Sequence, residues 1–258
     1  MLDADELLKT GVYKQPYQQE KDYIEEIFLE RLFRCCNSLV FKGGTALSKF
    51  YGSQRFSDDL DFAPKAQNEE EAVESKIDKM LDKLHTEVPA KLLRKINTNK
   101  VLKYELSIRG PLFITSRKYQ HLKIEIGKKE SVMESANIVR RNPVYRDIHP
   151  YLALIMSESE ILAEKVVALL YRRNIKARDL YDIYFMASKG VELKLGLVDA
   201  KMKEWGHVFT KEQFSKRVEE IGKMWDKELL RLLQKDAFVS YTKAKNAVVK
   251  YFEDAGLI

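Results

Sequence analysis

The chain has 258 residues, 45% of them hydrophobic and 33% charged, the make-up of an ordinary globular protein and not of a disordered one. Its net charge of +6 and pI near 9.0 suit a polyanionic partner such as nucleic acid without requiring one. Its longest apolar runs, such as Tyr151 to Met156, are too short to span a bilayer, and the acidic start Met1-Leu2-Asp3-Ala4-Asp5-Glu6 lacks an apolar signal region.

The two cysteines, Cys35 and Cys36, are adjacent, a geometry that disfavours a mutual disulfide and fits a reducing compartment. A soluble cytoplasmic protein is expected. Apolar groups at helical spacing (Tyr23, Ile24, Ile27, Phe28, Leu32, Phe33) predict an amphipathic helix over about 18–36. A short strand follows over 38–42, then a helix over 45–51 that begins at Gly43-Gly44. Leu60 to Ala63 continues a second strand, which Pro64 ends. Asn68-Glu69-Glu70-Glu71 opens a helix with negative charge in its first turn, and this helix extends to about His85.

Leu102, Tyr104, Leu106 and Ile108 alternate with Lys103, Glu105 and Ser107, and Leu122, Ile124 and Ile126 alternate with Lys123 and Glu125. Both read as half-buried strands, joined through Gly110-Pro111. After Pro150 the pattern is helical: 157–173, 177–188, then three or four amphipathic stretches. This predicts an α+β architecture: a nucleotide-handling domain over 1–189 and a helical bundle over 190–258, with the helices from about 157 able to pack with the bundle.

Chemistry concentrates in Phe41-Lys42-Gly43-Gly44-Thr45-Ala46-Leu47 and Arg55-Phe56-Ser57-Asp58-Asp59-Leu60-Asp61-Phe62. A glycine pair between strand and helix lets backbone N–H groups approach a phosphate, although a tight turn alone would also explain it. Residues two apart on a strand share a face, so Asp59 and Asp61 aim their carboxylates at one spot while Asp58 points away. The apolar Phe56, Leu60 and Phe62 around them imply partial burial, whose cost a divalent cation would offset. Ser57 and Arg55 cap the turn or touch a substrate phosphate. Glu125 is the candidate third carboxylate, as metal ligand or base, against a reading as a solvated charge. Lys165, in the apolar helix 160–170, is either a clamp on a triphosphate or a snorkelling surface lysine. Asp179 and Asp182 are spaced to share a helix face beside Arg178, with Asp179 also a candidate helix cap.

Taken together, Lys42-Gly43-Gly44-Thr45-Ala46-Leu47, the Arg55–Phe62 segment, Ala163-Glu164-Lys165 and Ala177-Arg178-Asp179-Leu180-Tyr181-Asp182 resemble the AbiEii/AbiGii-type toxin nucleotidyltransferases (formerly DUF1814), a branch of the polymerase-β-like superfamily. The resemblance implies a polymerase-β-like domain with a small mixed sheet and a helical bundle. It also implies Mg²⁺-dependent (alternatively Mn²⁺-dependent) transfer of a nucleoside monophosphate from an NTP, with an RNA, in particular tRNA, as acceptor and an antitoxin protein as partner. On it, Asp59 and Asp61 hold the metal, Lys165 binds the triphosphate and Asp182 belongs to the last catalytic motif; the reading of the residues themselves adds Glu125 as candidate third ligand and Gly43, Gly44, Thr45 and Arg178 as candidate nucleotide contacts. Gly44-Thr45 stands where the wider superfamily has Gly-Ser.

Basic residues with aromatic neighbours at Arg140-Arg141 with Tyr145-Arg146, and at Tyr171-Arg172-Arg173 with Lys176 and Arg178, are candidates for an RNA-backbone track or simply solvated faces. Rival readings are a metal-dependent glycosyltransferase, which also uses an Asp-x-Asp pair, a nucleotidyltransferase acting on a protein hydroxyl, and a non-catalytic NTP-binding module. No zinc-type spacing of histidine and cysteine is present.

Overall fold

A computed structural model describes residues 1–66, 70–234 and 237–258; Asn68 and Glu69 of the expected acidic helix start lie outside the described residues. The chain divides into two units, Met1–Ala46 with Ser57–Met156, and Leu47–Phe56 with Ser157–Ile258. The expected boundary near residue 190 falls inside the second unit, which takes every helix from residue 158 onward.

The first unit opens with α1 (Ala4–Lys9), fixed by a capping box in which Asp3 and Glu6 satisfy each other's backbone N–H groups. Helix α2 (Pro16–Cys35) starts with proline at its first position, where no intrahelical N–H is lost. It is less one-sided than its apolar spacing predicts, because Glu20, Asp22, Glu25, Glu26 and Glu30 are buried as well. Several of these acids hold other segments of the unit. Glu20 accepts from the Leu112 N–H at 2.6 Å, Asp22 from the Tyr145 hydroxyl at 2.6 Å, and Glu26 from Arg141 at 2.7 Å and from the Tyr151 hydroxyl at 2.9 Å.

Strand β1 (Leu39–Lys42) runs straight into α3 (Gly43–Tyr51), and β2 (Asp59–Pro64) follows. After α4 (Glu70–Glu87) come β3 (Ala90–Asn97), β4 (Val101–Ile108), α5 (Phe113–Ser116), β5 (Gln120–Gly127), β6 (Asn137–Arg141) and β7 (Tyr151–Ile155). They form one sheet in the order β3-β4-β5-β2-β1-β7-β6. Pairing is antiparallel except for β2 with β5 and β1 with β7, so the sheet is mixed.

The alternation read in β4 and β5 is realised. Leu102, Tyr104, Leu106 and Ile108, with Leu122, Ile124 and Ile126, are buried on one face, and Lys103, Glu105, Lys123 and Glu125 lie on the other. Strands β3, β6 and β7 were not foreseen. Edge strand β3 is largely exposed and basic, so it carries no alternation to read. Among the described residues no helix is long and apolar enough to cross a membrane.

The second unit is helical: α6 (Glu158–Tyr171), α7 (Ala177–Ser188), α8 (Leu195–Glu204), α9 (Lys211–Gly222), α10 (Trp225–Leu229) and α11 (Tyr241–Asp254). Ser157, Thr210 and Ser240 cap α6, α9 and α11. Its core includes Trp225, whose indole N–H donates to the Val239 carbonyl at 2.9 Å, and Phe214 against Phe252 at 5.1 Å. Phe214, Trp225 and Leu229 are buried, whereas Phe209, Leu232 and Leu233, at the same helical spacings, are only partly so.

Candidate active site

The turn between β1 and α3 is shaped around Asp61. Gly43 has φ +77°, a backbone conformation that side-chain-bearing residues rarely adopt, and a Cβ placed there would stand 2.5 Å from Asp61 Oδ2. The missing side chain is therefore the space in which the Asp61 carboxylate sits. Two residues on, the buried Thr45 hydroxyl donates to the Asp59 carbonyl at 2.6 Å, tying the first turn of α3 to the head of β2. The first-turn amides of α3, which include those of Gly44 and Thr45, have no acceptor within the helix.

Asp59 and Asp61 share the half-exposed face of β2, whereas Leu60 and Phe62 are fully buried on the other. Asp58 is exposed. Register then builds a charged row across four strands. Lys42 pairs with Asp61, Asp61 with Glu125, and Glu125 with Lys103. Two carboxylates, Asp61 and Glu125, thus stand directly opposite each other at the centre, an arrangement unfavourable for bare like charges. Lysines at the ends of the row are engaged: Lys103 holds Glu125 at 2.6 Å, and Lys42 reaches Glu130 at 2.5 Å. Lys123 pairs with Asp59 in register.

Buried Lys21 on α2 donates to the His121 carbonyl, and its charge faces Glu25, Asp58 and Asp59. Burial lowers its pKa, and those acids only partly oppose the effect. Lys21 and Glu130 escaped sequence reasoning. The first sits among the polar residues of a helix and the second in a charged loop after β5, so neither carries a pattern of its own. Among the described residues no group of three or more His, Cys, Asp and Glu side chains converges as a metal cluster; Glu125 is on the face of the aspartates but held by Lys103.

In the second unit the remaining candidates gather around Asp182. This carboxylate, fully buried on α7, takes Arg55 Nε at 2.8 Å, Arg55 Nη2 at 2.9 Å and Lys165 Nζ of α6 at 2.8 Å. Burial alone would raise its pKa, but Arg55 and Lys165 outweigh that and bring it down to about 2. Arg55 is committed to Asp182 and to the Phe56 carbonyl, so it neither caps the turn nor faces a substrate phosphate. Lys165 does not snorkel: it is buried, with Asp179 at 3.8 Å as a second counter-charge.

Asp179 also pairs with Arg172 at 3.0 Å. It does not cap α7; the first N–H of that helix, at Ala177, is instead met by Glu228 at 2.9 Å. Arg178 is half-exposed and has no carboxylate partner among the described residues.

The site is thus a glycine turn moulded around one aspartate, with a second aspartate beside it on the same strand. The family model described as "Nucleotidyl transferase AbiEii toxin, Type IV TA system" matches residues 27–247. The chain belongs to the AbiEii toxin family. It is accordingly a nucleotidyltransferase.

Two solved structures from Helicobacter pylori share the fold of this AbiEii member. One is described as a nucleotidyltransferase (TM-score 0.56, 19% identity, 92% of this chain and 95% of that one). The other is JHP933 (TM-score 0.52, 18% identity, 94% of this chain and 93% of that one). A search of curated proteins finds no match.

Proposed function

We propose that this AbiEii-family nucleotidyltransferase moves a nucleoside monophosphate from an NTP to a hydroxyl of RNA, in particular tRNA, with Mg²⁺ bound at Asp59 and Asp61. The observation that carries this reading is the seat built for Asp61 at Gly43, beside Asp59 on the same face. The donor chemistry fits the ion: both side chains offer only hard oxygen, on one half-exposed face of β2. Mg²⁺ is commonly held by one or two carboxylates together with substrate phosphates, so two aspartates suffice without a three-acid cluster. When bound, the ion neutralises charge on the triphosphate and on the departing pyrophosphate.

The chain's own groups do the rest. Backbone N–H groups at Gly43, Gly44 and Thr45 supply donors for phosphate oxygens at the start of α3. Lys165 is assigned to the triphosphate. Its counter-ion Asp182, 2.8 Å away, fixes the ammonium in place, which makes Asp182 a positioning residue. Arg178 supplies a second cation. In the transfer itself the acceptor oxygen bonds to the α-phosphorus as the bond to pyrophosphate breaks, and the hydroxyl proton is lost to solvent or to Glu125. The family description adds an antitoxin as partner in the cell.

The test is incorporation of label from each α-labelled NTP into total tRNA by the wild type and by Asp61→Asn. Loss on the order of 10²–10³-fold or more in the variant, with an unchanged circular-dichroism spectrum, supports the reading. Equal labelling by both would contradict it.

A further inference from the structure

At the end of the sheet away from β1, a groove of about 480 Å³ is lined by Pro89, Ala90, Lys91, Ser107, Arg109 and Tyr119. Its chemistry is specific. Tyr119 is 53% exposed and its ring leans on that of Phe113 at 4.6 Å, while the Arg109 guanidinium lies 4.6 Å over the Phe113 ring. A large aromatic surface is therefore held out to solvent by two supporting groups. Lys91 and Arg109 line the groove with Tyr119, and Arg117 and Lys118 precede it in the chain; all four are exposed and none has a carboxylate partner among the described residues.

Between the groove and the aspartates the strands share one face, on which His121 and Lys123 are exposed. Lys91 pairs with Ser107 and Ser107 with His121; two residues further along β5, Lys123 pairs with Asp59. From Tyr119 to Lys123 is about 13 Å of strand, a span that a few nucleotides cover. Glu105, between Arg94 and Lys123, is the acid on this path.

We infer that this groove seats a single-stranded stretch of the polynucleotide acceptor, one base stacked on Tyr119 and its phosphates facing Lys91, Arg109 and Lys123. A duplex keeps its bases stacked on one another and offers no free base face to the ring, whereas a splayed single strand does. The inference rests on the RNA-acceptor reading above and locates the binding surface for it.

Binding is measured by fluorescence anisotropy on the full chain with a fluorescein-labelled single-stranded RNA of about ten nucleotides, and with the same sequence as a duplex. Tyr119→Ala should weaken single-strand binding about 5- to 100-fold, and Tyr119→Trp should restore it, because stacking needs a ring and not a hydroxyl. Arg109→Gln and Lys91→Gln should each lower the slope of log affinity against log salt by about 0.7. In tRNA labelling, Tyr119→Ala should raise KM for RNA and leave kcat unchanged.

Single-strand binding unaffected by Tyr119→Ala, or weakened equally for the duplex, would overturn the groove. So would competition by an acidic peptide as strong as that by RNA. Labelling of RNA by the wild type with no change of KM in Tyr119→Ala sinks the groove and leaves the transfer reading standing. Absence of both labelling and binding in the wild type sinks both.

Discussion

Gly43 joins backbone conformation to chemistry at a single residue. Its φ of +77° and the 2.5 Å approach of Asp61 Oδ2 to the missing Cβ are two separate reasons for glycine. Gly43→Ala meets both the strained conformation, about 1–3 kcal/mol, and the carboxylate, which must move. The variant is expected to fold with a modest drop in Tm and a much larger drop in kcat. A large drop in Tm with full activity in the remaining folded fraction would show that the glycine serves the turn alone.

Asp182 gives a pH-dependent expectation. Its folded-state pKa is depressed to about 2 from an ordinary 3.8, so its stabilisation is fully present above about pH 4 and disappears as pH falls through 2. The contribution is about 2 kcal/mol. The stability gap between the wild type and Asp182→Asn, from denaturant melts, should be widest above pH 4 and narrow steadily toward pH 2. A gap independent of pH would show that the carboxylate charge is not what the pair recognises.

Among the elements, helices α6 and α7 form one electrostatic assembly through Lys165, Asp179, Asp182 and Arg172, with Arg55 inserted from the segment before β2. Removing one member of a buried pair leaves the other charge uncompensated, commonly worth about 3–5 kcal/mol. Arg55→Met should therefore lower thermal stability by roughly 6–20 °C in a chain of this size, whereas Arg178→Met should leave it unchanged.

The row across β1, β2, β5 and β4 behaves differently because Glu125 and Lys103 are both substantially exposed. A pair of that kind contributes little to stability. Glu125→Gln should cost less than about tenfold in transfer rate, far less than either aspartate, if the base is solvent. A loss as large as that of Asp59→Asn would make Glu125 a full member of the metal site.

For the molecule as a whole, legibility followed periodicity and steric necessity. Strands β4 and β5 alternate because one face is buried and the other wet, and the chain writes that directly. The Gly43-Gly44 turn and the pair Asp59 and Asp61 were legible because backbone strain and a same-face carboxylate pair each demand particular residue types. Strands β3 and β6 lie at the sheet edges with mostly exposed side chains, which removes the pattern that would announce them.

Lys21, Glu130 and the buried Arg55–Asp182 pair were illegible as partnerships, since ion pairs across long sequence separations leave no local spacing. The spacing of α2 suggested one apolar stripe. Its buried acids are matched by Tyr145, Tyr151, Arg141 and the Leu112 amide, partners that only the tertiary fold brings near.

The most direct test of nucleotidyl transfer at Asp59 and Asp61 is incorporation of label from α-labelled NTPs into total tRNA, with Mg²⁺, by the wild type and by Asp59→Asn. Labelled RNA is expected with the wild type for at least one NTP, and a loss on the order of 10²–10³-fold or more in a variant that melts at the same temperature. Undiminished labelling by the folded Asp59→Asn protein would contradict it.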